Sequence, residues 1–231
     1  MLHVQASESE LRERLTTIVR SAPVLMQVLS VARHFRLPDW LVFSGAIYQP
    51  VLNHLTGRPL DYGIKDYDLG YFDASNLSYE AEDAVICRVN AAFDEPLRSM
   101  VEVRNQARVH LWFEAKFGEP YKPLSCTAEA LECFASATFA VGVRLESDDR
   151  LNIVAPFGLA DLFALRLRPN PRRKTVGFAR TAADVRPYVL PKFRVKGIAR
   201  ALVEAAIHWC RSHRCSAITV TERTAGANYR P

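Results

Sequence analysis

The stretch FSGAIYQP, Phe43–Pro50, decides the fold when it is read together with KDYDLGYFD, Lys65–Asp73. The first stretch leaves the apolar run WLVF, turns at Ser44-Gly45 and enters AIYQPVLNHLTG. This segment reads as a helix closed by Gly57, with Pro50 expected in its first turn, where a missing N–H is harmless. The second stretch alternates as a strand does, so Asp66 and Asp68, two residues apart, project from one face. Two carboxylates placed this way reach one hard cation or two closely spaced ones, which is the donor chemistry Mg²⁺ asks for. Glu102, in the apolar strand VEVRN, is a third carboxylate that would face them. A turn of small residues into a helix presents backbone N–H groups at the positive end of the helix dipole, where triphosphate oxygens bind. Backbone for phosphates and carboxylates for metal are the parts of phosphoryl transfer.

Outward from this core the chain alternates helix and strand. Residues 8–35 read as two helices, with Leu11, Leu15, Ile18 and Val19 on one face of the first and Pro23 opening the second. RPLDYGIK is a loop, and LSYEAEDAVICRVNAAF is a helix with Ser78 as its N-cap and acids in its first turn. SMVEVRN reads as a strand, and RVHLWFEAKFG as a short helix or a continuing strand. A helix is expected after Ser125, strands at 138–145 and 151–154, and a helix over FGLADLFALRL, broken by RPNPRRK. The expected class is α+β: a mixed sheet flanked by helices, with an N-terminal helical preface and a C-terminal helix-strand appendage.

Composition bounds the function classes. At 231 residues the chain can bury a sizeable core, and 49% apolar with 24% charged residues is ordinary for a globular protein. No apolar run reaches the roughly 18 residues of a membrane span. MLHVQASESELRERL lacks the apolar core of a signal peptide, and five cysteines without a CxxC pair suit a reducing cytoplasm, so no membrane partner is expected. The net charge of +5 hides an asymmetry: residues 166–231 hold 15 basic and 3 acidic groups, against 15 and 22 before them. A basic tail can serve nucleic acid or present a solvated surface. There is no HExxH, no Cys/His metal spacing, no P-loop and no G-x-S-x-G. His54 and His110 read as core or surface groups, and Trp112, Phe113 and Phe117 as core aromatics.

VFSGAIYQPVLNHLTG followed by IKDYDLGYFD resembles the signature of the nucleotidyltransferase (polymerase-β-like) superfamily, and also the head of tRNA CCA-adding enzymes. SGAIY…LTGRPLDYGIKDYDLGYFD, EVRNQARVHLWFEAKFG and APFGLADLF…RPNP are similar to a bacterial nucleotidyltransferase-like family, over residues 40–171. The resemblance implies a nucleotidyltransferase domain over residues 1–171. It also implies transfer of a nucleoside monophosphate from an NTP to an unidentified acceptor, whether small molecule, RNA or protein. Carried across, Ser44 and Gly45 contact the nucleotide phosphates, while Asp66, Asp68 and Glu102 are the catalytic carboxylates that bind Mg²⁺ or Mn²⁺. Glu102 also helps to deprotonate the acceptor, and Lys65, Arg104 and Arg108 neutralise triphosphate charge. Two departures stand out. The interval between Gly45 and Asp66 is long, so the loop 55–65 must pack aside. Tyr48-Gln49 replaces the Arg-Asp of CCA-adding enzymes, which removes support for tRNA 3′-end chemistry.

After a basic linker over 172–190, YVLPKFRVKGIARALVEAAIHWCRSHRCSAITVT resembles the acetyl-CoA-binding segment of GNAT acetyltransferases, through Arg194, Gly197 and Ala199 and the helix after them. Val195 stands where that family usually has Gly, and residues 191–231 are too few for the whole fold. Two alternatives therefore accompany the enzyme: an inactive nucleotide-binding or regulatory protein of the same fold, and a two-part protein whose basic tail binds CoA or nucleic acid.

Overall fold

The computed structural model describes residues 6–173 together with 175, 177, 178 and 181. The GNAT-like segment 191–231 and most of the basic linker lie outside the described residues. Helix α1 (Glu8–Arg20) starts in a capping box, in which the Ser7 hydroxyl accepts from the Glu10 N–H and the Glu10 carboxylate accepts from the Ser7 N–H. Helix α2 (Pro23–Phe35) opens on its proline and ends at Arg36 in the left-handed region. The two helices lie 94° apart, and neither is long and apolar enough to cross a membrane. Their buried stripes, Leu11, Leu15, Ile18 and Val19 on one and Leu25, Val28, Leu29 and Ala32 on the other, cover one face of a sheet.

That sheet has five strands in the order β3-β2-β1-β4-β5. Strand β1 (Leu41–Phe43) lies between β2 (Tyr67–Tyr71) and β4 (Gly142–Leu145), antiparallel to both. Strand β5 (Leu151–Val154) continues the antiparallel side. Only β3 (Val101–Asn105) runs parallel to its neighbour β2, and a parallel step needs a crossover. Helix α4 (Tyr79–Asn90) supplies it, capped by the Ser78 hydroxyl, which accepts from the Ala81 N–H. Helix α3 (Gly45–Thr56) links β1 to the long loop before β2. The mixed sheet flanked by helices is the α+β architecture expected.

Strand alternation divides the sheet into two unlike faces. Val42, Tyr67, Leu69, Val101, Val103 and Val143 point into the main core, under the helices. On the other face Phe43 pairs with Asp68 and Gly142, and Asp68 pairs with Glu102. Leu41 and Phe43 make a small cluster there with Leu131 and Ala140. Val154 packs against that cluster from β5, and the β2–β3 side of the face carries Asp68, Glu102 and Arg104.

Several boundaries differ from the sequence reading. Helix α3 begins at Gly45 itself, so Pro50 lies inside it rather than in the first turn, at the expense of one backbone hydrogen bond. The strand expected from Thr138 starts only at Gly142. Residues 137–139 form a 3₁₀ turn instead, because the Thr138 hydroxyl donates to the Arg166 carbonyl and the Ser136 hydroxyl to that of Arg168. The helix expected over FGLADLFALRL shrinks to α8 (Ala160–Phe163), where Leu165 turns left-handed and Asp161 pairs with Arg166 and Arg168. A four-residue helix α5 (Leu97–Met100) takes the start of SMVEVRN. RVHLWFEAKFG, open between two readings, is helix α6 (Val109–Phe117), closed by Gly118. The helix after Ser125 is α7 (Ala128–Glu132).

Gly70 shows how tightly this second face is built. A Cβ there would lie 2.5 Å from Cε1 of Phe43 and 2.9 Å from its Cζ. The ring is hemmed in, with Phe134 against it edge-on at 5.8 Å between centroids. Gly70→Ala is therefore expected to destabilise the fold by about 1–3 kcal/mol, as overpacking does. Urea denaturation of the variant checks this, and an unchanged midpoint would show that the ring can move away.

Candidate functional site

Ser44 ends β1 and caps α3 with φ 64° and ψ −140°, a conformation that costs a residue with a Cβ on the order of 1–3 kcal/mol. Its side chain does not cap the helix. The hydroxyl hydrogen-bonds to the Asp68 carboxylate instead. The first turn of α3 therefore keeps its N–H end without a side-chain cap, half-exposed at Ser44 and Gly45, as an anion cradle requires. The backbone contorts at Ser44 to do two things: turn the helix N-terminus outward and tie the turn to Asp68.

Asp68 lies in β2, with Glu102 as its register partner in β3. Asp66 precedes β2 by one residue and is half-buried. The three groups act on one another electrostatically. Burial, then the Asp66 charge, then Glu102 push the Asp68 carboxyl up to about 7, against the downward pull of the Ser44 hydroxyl and Arg104. Asp66 is raised by burial and next by Glu102, with Lys65 opposing. A half-buried group of acids that repel one another is short of positive charge, and hard oxygen donors suit Mg²⁺ or Mn²⁺. The fit is chemical rather than preassembled: among the described residues no three His, Cys, Asp or Glu side chains form a group that could hold a metal ion as they stand. The half-exposed Glu102 carboxylate lies 3.8 Å from the Arg104 guanidinium.

The expected cations divide. Arg104 lies beside the carboxylates, sharing the polar face of β3 with Glu102, and its guanidinium also donates to the Val103 carbonyl. Lys65 is exposed, and its charge acts on Asp66. Arg108 belongs elsewhere. It is buried against Glu82 of α4 in an ion pair and donates to the Leu77 carbonyl, so it is structural and cannot reach a triphosphate. The other Glu82 oxygen accepts from the Asn105 N–H, and the Asn105 side chain bonds residue 73 in both directions. This network fastens the end of β3 to that of β2.

Tyr48 and Gln49 both have structural partners, and the Tyr48 hydroxyl also lies beside Gly45, 3.8 Å from where a Cβ would stand. Tyr48 stacks on Phe139 at 4.1 Å between centroids. The Gln49 amide donates to Asn53, whose own amide donates to the carbonyls of Leu60 and Tyr62. The long loop thus packs aside as expected, and Asn53 is what holds it.

A cleft of about 500 Å³ opens from Asp68, Glu102 and Arg104 along α6. Its aromatic wall, Trp112, Phe113, Phe117 and Tyr121, is not the core that the sequence pattern predicts. Phe117 is 46% exposed, and none of the three α6 rings is buried. The missed signal was the absence of a stripe: in VHLWFEAKF the apolar residues spread around the helix, and Val109 is its one buried residue. Cys133 and Phe134, after α7, line the opposite side. Arg173 closes the far end: it donates to Glu119 at 3.0 Å and to the Cys133 carbonyl at 2.8 Å, and lies 4.9 Å above the Phe113 ring.

Three comparisons with known proteins bear on this arrangement. No curated protein matches the chain. Among solved structures, the chain resembles an NMR structure described as revealing a CCA-adding enzyme head domain. That similarity has a TM-score of 0.59 and 20% identity, and covers 84% of this chain and 90% of the other. At that identity it speaks for the fold alone. A family model described as nucleotidyltransferase matches residues 30–186, which takes in the cradle, all three carboxylates and the aromatic cleft. With more than half of its length matched, the chain belongs to this nucleotidyltransferase family.

Proposed function

We propose that the protein transfers a nucleoside monophosphate from an NTP to a hydroxyl acceptor. The observation that carries the reading is the pairing of Asp68 with Glu102 on the strand next to the Ser44-Gly45 turn, whose own hydroxyl bonds Asp68. The outward N-terminus of α3 receives the β- and γ-phosphates, and Arg104 answers charge on the α-phosphate side. Asp66 and Asp68, with Glu102 turned from Arg104, would hold Mg²⁺ or Mn²⁺, which supplies charge neutralisation at the reacting phosphate. The acceptor oxygen attacks the α-phosphorus in line and forms a new P–O bond. The α–β bridging bond breaks, pyrophosphate leaves with its electron pair, and the acceptor proton passes to Glu102.

A pyrophosphate-release screen of the four NTPs with Mg²⁺ or Mn²⁺, across small alcohols, aminoglycosides, tRNA and protein hydroxyls, tests this directly. Wild type is expected to release pyrophosphate with at least one pair, and Asp66→Ala to lose about 10²-fold or more of that rate. One observation favours a second reading, a nucleotide-binding protein without turnover: the carboxylates do not stand as a ready metal group. That reading predicts NTP binding that survives Asp68→Ala, with no pyrophosphate from any mixture.

Asp68 makes a separate prediction about stability. Its folded pKa, about 7, lies above the ordinary value of 3.8, so between those pH values the folded state holds more proton than the unfolded one. Stability without metal should therefore fall as pH rises from about 4 to about 7. Asp68→Asn removes this penalty and should be more stable than wild type at pH 8. Millimolar Mg²⁺ should raise the wild-type melting temperature at pH 8 and leave that of Asp68→Asn unmoved. Equal melting temperatures for the two proteins at pH 8 would contradict the buried charge.

A further inference from the structure

The cleft beyond the carboxylates has a chemistry that nucleotidyl transfer does not by itself require, and assigning an occupant to it rests on the proposed transfer reaction. In-line displacement puts the attacking oxygen opposite the leaving pyrophosphate. With the phosphates at Ser44-Gly45, just past the end of β1, the acceptor approaches from the β3 side. That is where the cleft lies: its lining includes Asp68, Glu102 and Arg104 but neither Ser44 nor Gly45. Its volume, about 500 Å³, suits a small molecule. The wall offers ring faces, with Phe113 4.7 Å from Phe117 and 4.5 Å from Tyr121, centroid to centroid, and Trp112 6.3 Å from Phe117. Such faces stack planar rings with little regard to their edges.

Charge narrows the class further. Among the described lining residues two arginines, Arg104 and Arg173, stand against three carboxylates, Asp68, Glu102 and Glu119, with Arg173 held by Glu119 at 3.0 Å. Acids therefore outnumber bases by one in the described lining, and the Lys116 ammonium lies outside it, 5.3 Å from the Phe117 ring centroid. A nucleic-acid strand needs a surplus of basic side chains for its phosphates, and among the described lining residues the balance runs the other way. We infer that the cleft seats the acceptor, and that the acceptor is a small hydroxyl-bearing molecule with a planar ring and no net negative charge. The hydroxyl faces Glu102 while the ring lies against Trp112, Phe113 and Phe117.

Adenosine, AMP and hexaadenylate are suitable probes, because they share a ring and differ in charge. Their binding is followed by tryptophan emission in the full-length protein without metal, with Trp112→Phe separating the share due to Trp112 from that of Trp40 and Trp209. Adenosine is expected to quench Trp112 saturably, with AMP roughly tenfold weaker and hexaadenylate weaker still. Phe117→Ala, at a half-exposed position that spares the core, should weaken adenosine binding several-fold with an unchanged melting temperature. A second titration adds Mg²⁺ and CTP at saturation, with CTP binding scored independently by thermal shift. Undiminished adenosine affinity supports a separate acceptor seat, whereas competition overturns it and makes the cleft the place of the NTP's own base. CTP binding with no adenosine quenching, or tighter binding of hexaadenylate than of adenosine, overturns the inference and leaves the transfer reaction standing. Adenosine quenching with no binding of any of the four NTPs, each scored by the same thermal shift, overturns both the transfer reading and the acceptor assignment that rests on it.

Discussion

The structure is organised around holding one carboxylate where water would not choose to leave it. Asp68 is half-buried beside Asp66 and Glu102, and folding works against that repulsion. Three supports make it tolerable. The Ser44 hydroxyl bonds it at the expense of a strained backbone. The parallel register of β2 and β3 fixes the distance to Glu102. The Glu82–Arg108 pair with Asn105 locks the far end of that register. Removing one partner of a buried pair typically costs about 3–5 kcal/mol, so the lock is a strong one. Strain and charge repulsion gathered at one place are what a binding site stores and a ligand releases.

Much of this was legible in the sequence, for identifiable reasons. The cradle and the Asp-x-Asp strand are local patterns, a small-residue turn and a period of two, and local physics dictates both. Capping predicted the starts of α2 and α4 correctly for the same reason. What remained hidden depends on partners distant in the chain. Arg108 reads as a free cation until the fold brings Glu82 against it, 26 residues away. Thr138 reads as strand until the backbone at Arg166 claims its hydroxyl. The rings of α6 read as core because hydrophobicity does not say whether a face meets a sheet or a cleft. Pro50 was placed by the rule that prolines sit in first turns, and the sharp turn at Ser44 overrode it by starting the helix at once.

The same separation of local from distant explains the departures from the superfamily pattern. Tyr48 and Gln49 are positions where a related signature carries charge. Here the first is stacked on Phe139, and the second supports the Asn53 bonds that hold the long loop. On this helix the position is occupied by the loop that the long interval before Asp66 requires.

That arrangement divides the domain into a part that can vary and a part that cannot. A charged residue at 48 would have to give up a ring stack, and one at 49 would loosen the loop, so stability constrains the α3 side. On α6 the rings are half-exposed, and Gly118 closes the helix with its own left-handed turn. Side chains there can be exchanged while the core stays whole. Substitution along α6 therefore reshapes the wall of the cleft without touching the core, whereas substitution along α3 unsettles the loop bonded to it.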